Sequence, residues 1–250
     1  MKRMFTSDSE SDHINALIYG EAGTGKTRSA ITLPGKTVII SAESGLKTLR
    51  GYEIEVWKVE SWVDFDTAIN TLIEGKGTEE YAYDNVFVDS LTEVTKICGD
   101  YILNERKDIY AARKTNTKTM FHDQRSIEDW GVIKGRMDRM CRAFRDLPYN
   151  VFFTALKHDI KDEKTGITKS VPLVSPGSLA EDLPGIFDHV ILAKADMDPS
   201  TKKPVFWWEH AQTEKQMGKD RSNNLEWKTE PNWQLIFDAY KLKVTPKEKK

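Results

Sequence analysis

An α/β fold, with a mostly parallel sheet, helices on both faces and a β-rich C-terminal extension, follows from three features of this 250-residue sequence. Ala16-Leu17-Ile18-Tyr19, an apolar stretch of strand length, runs into a glycine turn and then into a segment able to start a helix. Asn85-Val86-Phe87-Val88-Asp89-Ser90 is continuously apolar until its last two residues, as suits a central parallel strand covered on both faces. Apolar stripes at helical spacing accompany these strands: Phe65, Ala68, Ile69 and Leu72, then Trp130, Ile133, Met137, Met140, Cys141 and Phe144.

Taken in order, residues 1–14 are a polar, flexible leader, 15–242 one core, and 243–250 a basic, disordered tail. The Pro34-Gly35 turn launches a strand over 36–41, and a short strand over 55–59 precedes a helix over 63–74. Helices are expected over 91–106 and 127–146, with a buried strand over 150–155 after them. Lys161 to Gly166 reads as a hairpin tip, Gly166 supplying the turn conformation. Pro176-Gly177-Ser178 opens a short helix that Pro184-Gly185 stops. Strands follow over 187–193 and 204–209, and the last helix spans 233–242. Trp207 and Trp208 could stack nucleobases, but adjacent strand residues face opposite sides, so at least one belongs to the core.

The net charge of −2 carries no global signature of a polyanion-binding protein. The two cysteines, Cys98 and Cys141, are far apart and read as reduced thiols in a cytoplasmic protein. No apolar run approaches transmembrane length and no signal-peptide core is visible, so no membrane partner is expected.

The glycine turn is Gly20-Glu21-Ala22-Gly23-Thr24-Gly25-Lys26-Thr27, with Arg28 directly after it. It fits G-x-x-x-x-G-K-[ST], the phosphate-binding loop. Backbone N–H groups and a following helix dipole would make an anion site there. Lys26 is placed to reach the β- and γ-phosphates, and the Thr27 hydroxyl to sit on Mg²⁺. A chance glycine-rich turn is the competing reading, and the flanking strand and helix start count against it. No N-K-x-D guanine signature is present, which favours ATP over GTP.

Asp89 has two readings, a holder of the Mg²⁺ shell or a cap for the next helix, and its pairing with the phosphate loop favours the first. Between 105 and 125, Arg106, Lys107, Arg113, Lys114, Lys118 and Arg125 are interleaved with Tyr110, Asn116 and Phe121. Such a basic loop suits single-stranded DNA, with Lys107, Arg113, Lys114 and Lys118 on its phosphates. A solvated polar connection fits the same residues equally well.

The phosphate loop, Ala42-Glu43 and Asp89-Ser90 together resemble the core of RecA-type recombination ATPases. That resemblance implies that Glu43 polarises the attacking water, the alternative being an exposed loop carboxylate. Lys219-Asp220-Arg221 looks like the K-x-R finger of RecA-like hexameric helicases and clock ATPases, which implies that Lys219 and Arg221 reach a neighbouring subunit's γ-phosphate. Over residues 15 to 240 the chain resembles more closely the short RecA-like ATPases encoded by bacteriophages, a family linked to single-strand annealing and recombination. The resemblance is carried by the phosphate loop, Ser41-Ala42-Glu43-Ser44-Gly45-Leu46, Val88-Asp89-Ser90-Leu91-Thr92-Glu93 and Asp129-Trp130-Gly131. It continues through Phe144-Arg145-Asp146-Leu147-Pro148, Phe153-Thr154-Ala155-Leu156, Leu183-Pro184-Gly185 and Lys219-Asp220-Arg221. In one departure, Thr154 occupies the region where the recombinases carry a γ-phosphate-sensing glutamine.

The resemblance implies a RecA-like P-loop NTPase with its site at the carboxyl ends of the strands, where open α/β sheets place ligands. It implies Mg²⁺-dependent ATP hydrolysis coupled to single-stranded DNA binding and to annealing or strand exchange. Lys26, Glu43, Lys219 and Arg221 would be catalytic in a homo-oligomeric ring or filament, with a single-strand-binding protein as a further partner. A ring-forming helicase-like or loader ATPase is one alternative; a nucleotide-gated assembly scaffold with little turnover is another.

Overall fold

A computed structural model describes residues 13–43, 45–75, 78–112 and 125–241, the side chains of 107–112 excepted. The expected leader, apart from residues 13 and 14, and the whole expected tail therefore lie outside the described residues, as does residue 242 of the expected core. The strands are β1 (Asn15–Gly20), β2 (Thr37–Ser41), β3 (Glu55–Lys58), β4 (Asn85–Asp89), β5 (Asn150–Lys161), β6 (Thr168–Pro172), β7 (His189–Met197), β8 (Pro204–Glu209), β9 (Lys219–Asp220) and β10 (Lys228–Thr229). The α-helices are α1 (Trp62–Glu74), α2 (Leu91–Ala112), α3 (Ile127–Arg145), α4 (Ser178–Ile186) and α5 (Trp233–Lys241).

All ten strands join one sheet, whose main order is β10-β8-β7-β1-β5-β4-β2-β3. From β3 across to β7 every pairing is parallel. β1, β2 and β4 are buried along their whole length, which is why they read as unbroken apolar runs. The β-rich C-terminal part continues the same sheet as antiparallel strands, with β8 and β9 on β7 and β10 on β8.

The two faces are covered unequally. One carries α1 to α4, whose stripes pack with inward residues of the sheet. Phe144 of α3 links this layer, with ring centroids 5.7 Å from Phe65 and 5.3 Å from Phe153. Capping boxes at Ser61/Asp64 and Ser126/Asp129 fix the starts of α1 and α3. The other face carries α5 and two 3₁₀ turns, Thr27–Thr32 and Gly45–Leu49.

Several boundaries differ from the sequence expectation. α2 continues to Ala112, so Lys107 sits in a helix and not in a basic loop, while Arg113, Lys114 and Lys118 lie outside the described residues. α4 runs through Pro184 to Ile186. Proline lacks only the donor its own position would use, and the next bond, Phe187 N–H to the Leu183 carbonyl, still forms. β5 and β7 extend past the sheet's core, β5 as one arm of a hairpin with β6. No helix among the described residues is long and apolar enough to cross a membrane. Cys98 and Cys141 are buried free thiols, and burial pushes their pKa up to about 11 and about 12.

Trp233 ties the last helix to the segment after the glycine turn. It is fully buried, with its ring 4.6 Å from Phe152 and 4.6 Å from Trp208. Its indole N–H donates to Ser29 Oγ at 3.0 Å and its backbone N–H to Thr32 Oγ1 at 3.0 Å. Trp233→Ala is expected to cost about 3–5 kcal/mol, as large-to-small core substitutions of aromatics do, and Trp233→Phe about 1 kcal/mol for the lost hydrogen bond. Urea midpoints of the two variants check both figures.

Candidate functional site

β1 lies between β5 and β7 and delivers the chain at the carboxyl end of the sheet. A Cβ at Gly20 would run into the Ala193 carbonyl of β7, so the strand ends in the one residue that fits. Gly23 and Gly25 then take φ of +83° and +82°, the left-handed region open to glycine, and turn the chain back. The 3₁₀ turn Thr27–Thr32 follows. It is not the α-helix that the motif predicts, because Pro34 restricts the residue before it and leaves too little chain for α-helical turns. A six-residue 3₁₀ turn carries little macrodipole, so attraction for phosphate falls to the loop's own N–H groups and to Lys26.

Lys26 is buried, and its ammonium donates to the carbonyls of Gly20 at 3.0 Å and Glu21 at 2.8 Å, spanning the loop. Burial lowers its pKa, while Asp89, Glu43 and Glu21 nearby pull it back up. Both carboxylates singled out in the sequence, Asp89 and Glu43, thus act electrostatically on the lysine.

Asp89 is the hub. The parallel pairing of β4 with β2 sets it beside Ser41, and it is buried. Thr27 Oγ1 donates to its Oδ2 at 2.8 Å, and Thr154 Oγ1 donates to its Oδ1. It does not cap α2: Ser90 does, accepting the Glu93 N–H on its Oγ at 3.3 Å. The same Ser90 hydroxyl donates to Glu43 Oε1, and Ser41 Oγ donates to the Glu43 carbonyl at 2.7 Å. Glu43 is thus a half-buried, held carboxylate and not a free loop residue. A Cβ at Gly45 would stand 3.8 Å from Thr27 Oγ1 and 4.0 Å from Asp89 Oδ2, so glycine keeps that side open.

Thr27 Oγ1 and the Asp89 carboxylate are adjacent hard oxygen donors, the kind Mg²⁺ takes together with water and phosphate oxygens. Among the described residues no group of three or more His, Cys, Asp or Glu side chains could hold a metal ion by itself.

Three further residues border the loop without having been assigned to it from the sequence. Thr154, read there only as a replacement for glutamine, binds Asp89. Lys157, just past Leu156 that pairs with Gly20, ion-pairs with Glu21 and with Asp159, both at 2.9 Å. Phe206 of β8, partly exposed, has its ring 3.8 Å from where a Gly25 Cβ would stand. Beyond Phe206 a groove of about 910 Å³ runs between β8, residues 224–230 and α5. Periodicity gave no signal for these three, because each depends on which strand lies next to β1. Trp208 is core, and Trp207 packs under the Lys228 ammonium, 4.1 Å from its ring.

Lys219 and Arg221 are not brought to the phosphate loop of their own chain. β9 pairs with β7 at Val190 and His189, whereas Gly20 is level with Ala193, roughly 10 Å further along the strand. The Lys219 ammonium donates to the Pro184 carbonyl at 2.5 Å and the Phe187 carbonyl at 2.7 Å. Arg221 pairs with Asp188 at 2.6 Å and is more than half exposed. Two other cations of the basic stretch are engaged within the chain, Arg106 with Asp129 at 2.6 Å and Arg125 with Asp100 at 2.5 Å.

A family model described as an AAA domain matches residues 12–222. No curated protein matches the chain. Solved structures that match include a KaiC-like protein from the hyperthermophilic archaeon Pyrococcus horikoshii OT3, 12% identical, covering 78% of this chain and 76% of that one with a TM-score of 0.38. With a phosphate loop at the end of a central parallel strand and an acid-ended strand beside it, over a match that takes in well over half its length, this chain is a P-loop NTPase of α/β fold and belongs to the AAA domain family.

Proposed function

We propose that this protein hydrolyses ATP with Mg²⁺, binds single-stranded DNA, and promotes annealing or strand exchange as a homo-oligomer. One observation carries the ATPase reading: Lys26, Thr27, Asp89 and Glu43 converge at the carboxyl ends of β1, β4 and β2, joined through the Thr27–Asp89 bond of 2.8 Å. Gly20, Glu21, Ala22, Gly23, Thr24 and Gly25 form the cradle, with Lys26 neutralising the β- and γ-phosphates and Arg28 flanking the exit. Mg²⁺ bound at Thr27 and Asp89 would neutralise charge developing on the transferred phosphoryl group. Glu43, held by Ser90, orients the attacking water. Phe206 offers a stacking face for the adenine beside Gly25.

The DNA reading is supported by the β5–β6 hairpin, which leaves the sheet beside the loop and carries exposed Lys161 and Lys164 with the half-buried Lys169. Lys107, Arg113, Lys114 and Lys118 are candidate phosphate contacts from the basic stretch. The likeness to phage annealing ATPases supplies the recombination role and a single-strand-binding protein as partner. A nucleotide-gated scaffold with little turnover is the second reading, favoured by the in-chain carbonyl contacts that hold Lys219.

Glu43→Gln should still bind nucleotide while kcat falls by roughly 10²–10⁴-fold, the range of general acid–base groups. A steady-state ATPase assay beside a nucleotide titration checks it, and unchanged turnover removes Glu43 from the mechanism. Phe206→Ala should weaken ATP by roughly 5–150-fold, the equivalent of about 1–3 kcal/mol of base stacking, and leave inorganic tripolyphosphate binding unchanged. Equal loss for both ligands in calorimetric titrations would mean that Phe206 supports the loop and not the base. Trans completion predicts that Lys26→Ala and Arg221→Ala, each inactive, regain part of the activity when mixed, since a cation supplied in trans raises phosphoryl transfer roughly 10³–10⁵-fold. Co-assembly without recovered turnover rejects a shared site.

A further inference from the structure

Most of the described arginines are held in ion pairs, among them Arg106, Arg125, Arg142 and Arg145. Arg28 and Arg50 are not, and with Lys47 they make a patch of exposed cations that no carboxylate meets among the described residues. The two 3₁₀ turns bring the three together. Gly45 begins the second turn beside Thr27, and Arg28 donates from its guanidinium to the Thr48 carbonyl at 3.2 Å. Arg50 closes that turn with its N–H on the Lys47 carbonyl at 3.3 Å, and Tyr52 follows with its N–H on the Leu49 carbonyl at 3.0 Å. The patch therefore starts at the phosphate loop and descends the sheet face toward the amino end of β3. Tyr52 is 49% exposed and walls a cavity of about 510 Å³ whose apolar lining is Ile31, Leu33 and Ile54. Lys36 and Glu53 line it too. The neighbouring Glu55 carboxylate is engaged, accepting the Trp57 indole N–H at 2.9 Å, whereas Glu53 is exposed and unpaired among the described residues.

Arginine and lysine stand outside the cavity, and a free carboxylate stands at its wall next to an exposed ring. One residue of a single strand has the matching polarity. It carries anionic phosphate, a flat base that stacks on an aromatic side chain, and, on cytosine and adenine, an exocyclic amine that a carboxylate accepts. An acidic peptide matches the cations but not Glu53. We propose that this face holds single-stranded DNA, with Arg28, Lys47 and Arg50 on its phosphates and one base in the cavity, flat against Tyr52 with its amino group on Glu53. Thymine has no such amine, so it is the base this cavity disfavours. The track begins one residue from Thr27, so the bound strand runs alongside the nucleotide. The proposal rests on the DNA-binding reading above and names a surface for it other than the β5–β6 hairpin.

The test is fluorescence anisotropy of the full chain with labelled oligo-dC or oligo-dT, in Mg²⁺ and a non-hydrolysable ATP analogue, over a range of salt concentrations. The parent should bind oligo-dC about fivefold more tightly than oligo-dT, the low end of what one base contact discriminates. Lys47→Ala combined with Arg50→Ala should flatten the log–log salt slope by about 1.4, at roughly 0.7 per phosphate contact on a single strand, and leave the affinity for the analogue unchanged. Tyr52→Ala should weaken both oligonucleotides about fivefold or more with the slope kept, and Glu53→Ala should erase the preference for oligo-dC. An unchanged slope in the double variant overturns the proposal, as does a parent that binds oligo-dT as tightly as oligo-dC. Polyglutamate that displaces the label as effectively as unlabelled oligo-dC makes the patch a site for acidic protein and also overturns it. Oligonucleotide binding that survives intact in every variant puts the strand elsewhere and sinks this proposal alone. A parent that binds neither oligonucleotide overturns the DNA reading, and this proposal with it.

Discussion

A buried carboxylate that has to be satisfied organises this protein. Asp89 sits at the end of a strand covered on both faces, and a charge there is costly unless it is hydrogen-bonded. Two hydroxyls meet it, Thr27 from the turn after the loop and Thr154 from β5, so three elements distant in sequence are pinned to one point. Lys26 supplies the opposite charge close by, itself buried and held on the loop's carbonyls. Desolvation of that lysine is tolerated because the acids around it pull its charge back.

The parts of the fold read directly from sequence are those governed by local rules. The loop is a motif, β1 and β4 are unbroken apolar runs, and the α1 and α3 stripes are buried at the expected positions, with Trp130 of α3 half-buried. What escaped was decided at longer range or by competing local rules. The motif promised a helix after Thr27, but Pro34 cut the segment to a 3₁₀ turn. Residues 107–112 looked like the start of a basic loop, yet they continue α2. Thr154, Lys157 and Phe206 acquire meaning only because β5 and, through β7, β8 flank β1, and a single strand's periodicity does not record its neighbours.

The unequal covering of the sheet has a consequence for the loop. Four helices on one face make a deep core, whereas the face behind the phosphate loop depends on α5 and two short turns. Trp233 is what makes that thinner layer sufficient, packing at a tilt against Phe152 and Trp208 while its two N–H groups fix Ser29 and Thr32. The last described helix is therefore structurally part of the nucleotide site although it lies some two hundred residues from it in sequence. It also forms one wall of the groove that begins at Phe206.

Lys219 and Arg221 are not held equally. The Lys219 ammonium has two carbonyl acceptors at 2.5 and 2.7 Å, so moving it outward leaves both carbonyls without their donor. Burial already lowers its pKa, with Arg221 adding to the effect, so it is held as a structural clamp between β9 and the end of α4. Arg221 has a single ion-pair partner, Asp188, and its side chain is 56% exposed. An exposed pair of this kind is worth about 0–1 kcal/mol. Asp188 would not be stranded by its departure, because its Oδ2 also accepts the Asn15 N–H at 3.2 Å. A guanidinium is also the better group for a bidentate grip on phosphate. If one subunit completes another's site, Arg221 is the residue that swings across, and Lys219 is the one that fixes the strand it swings from.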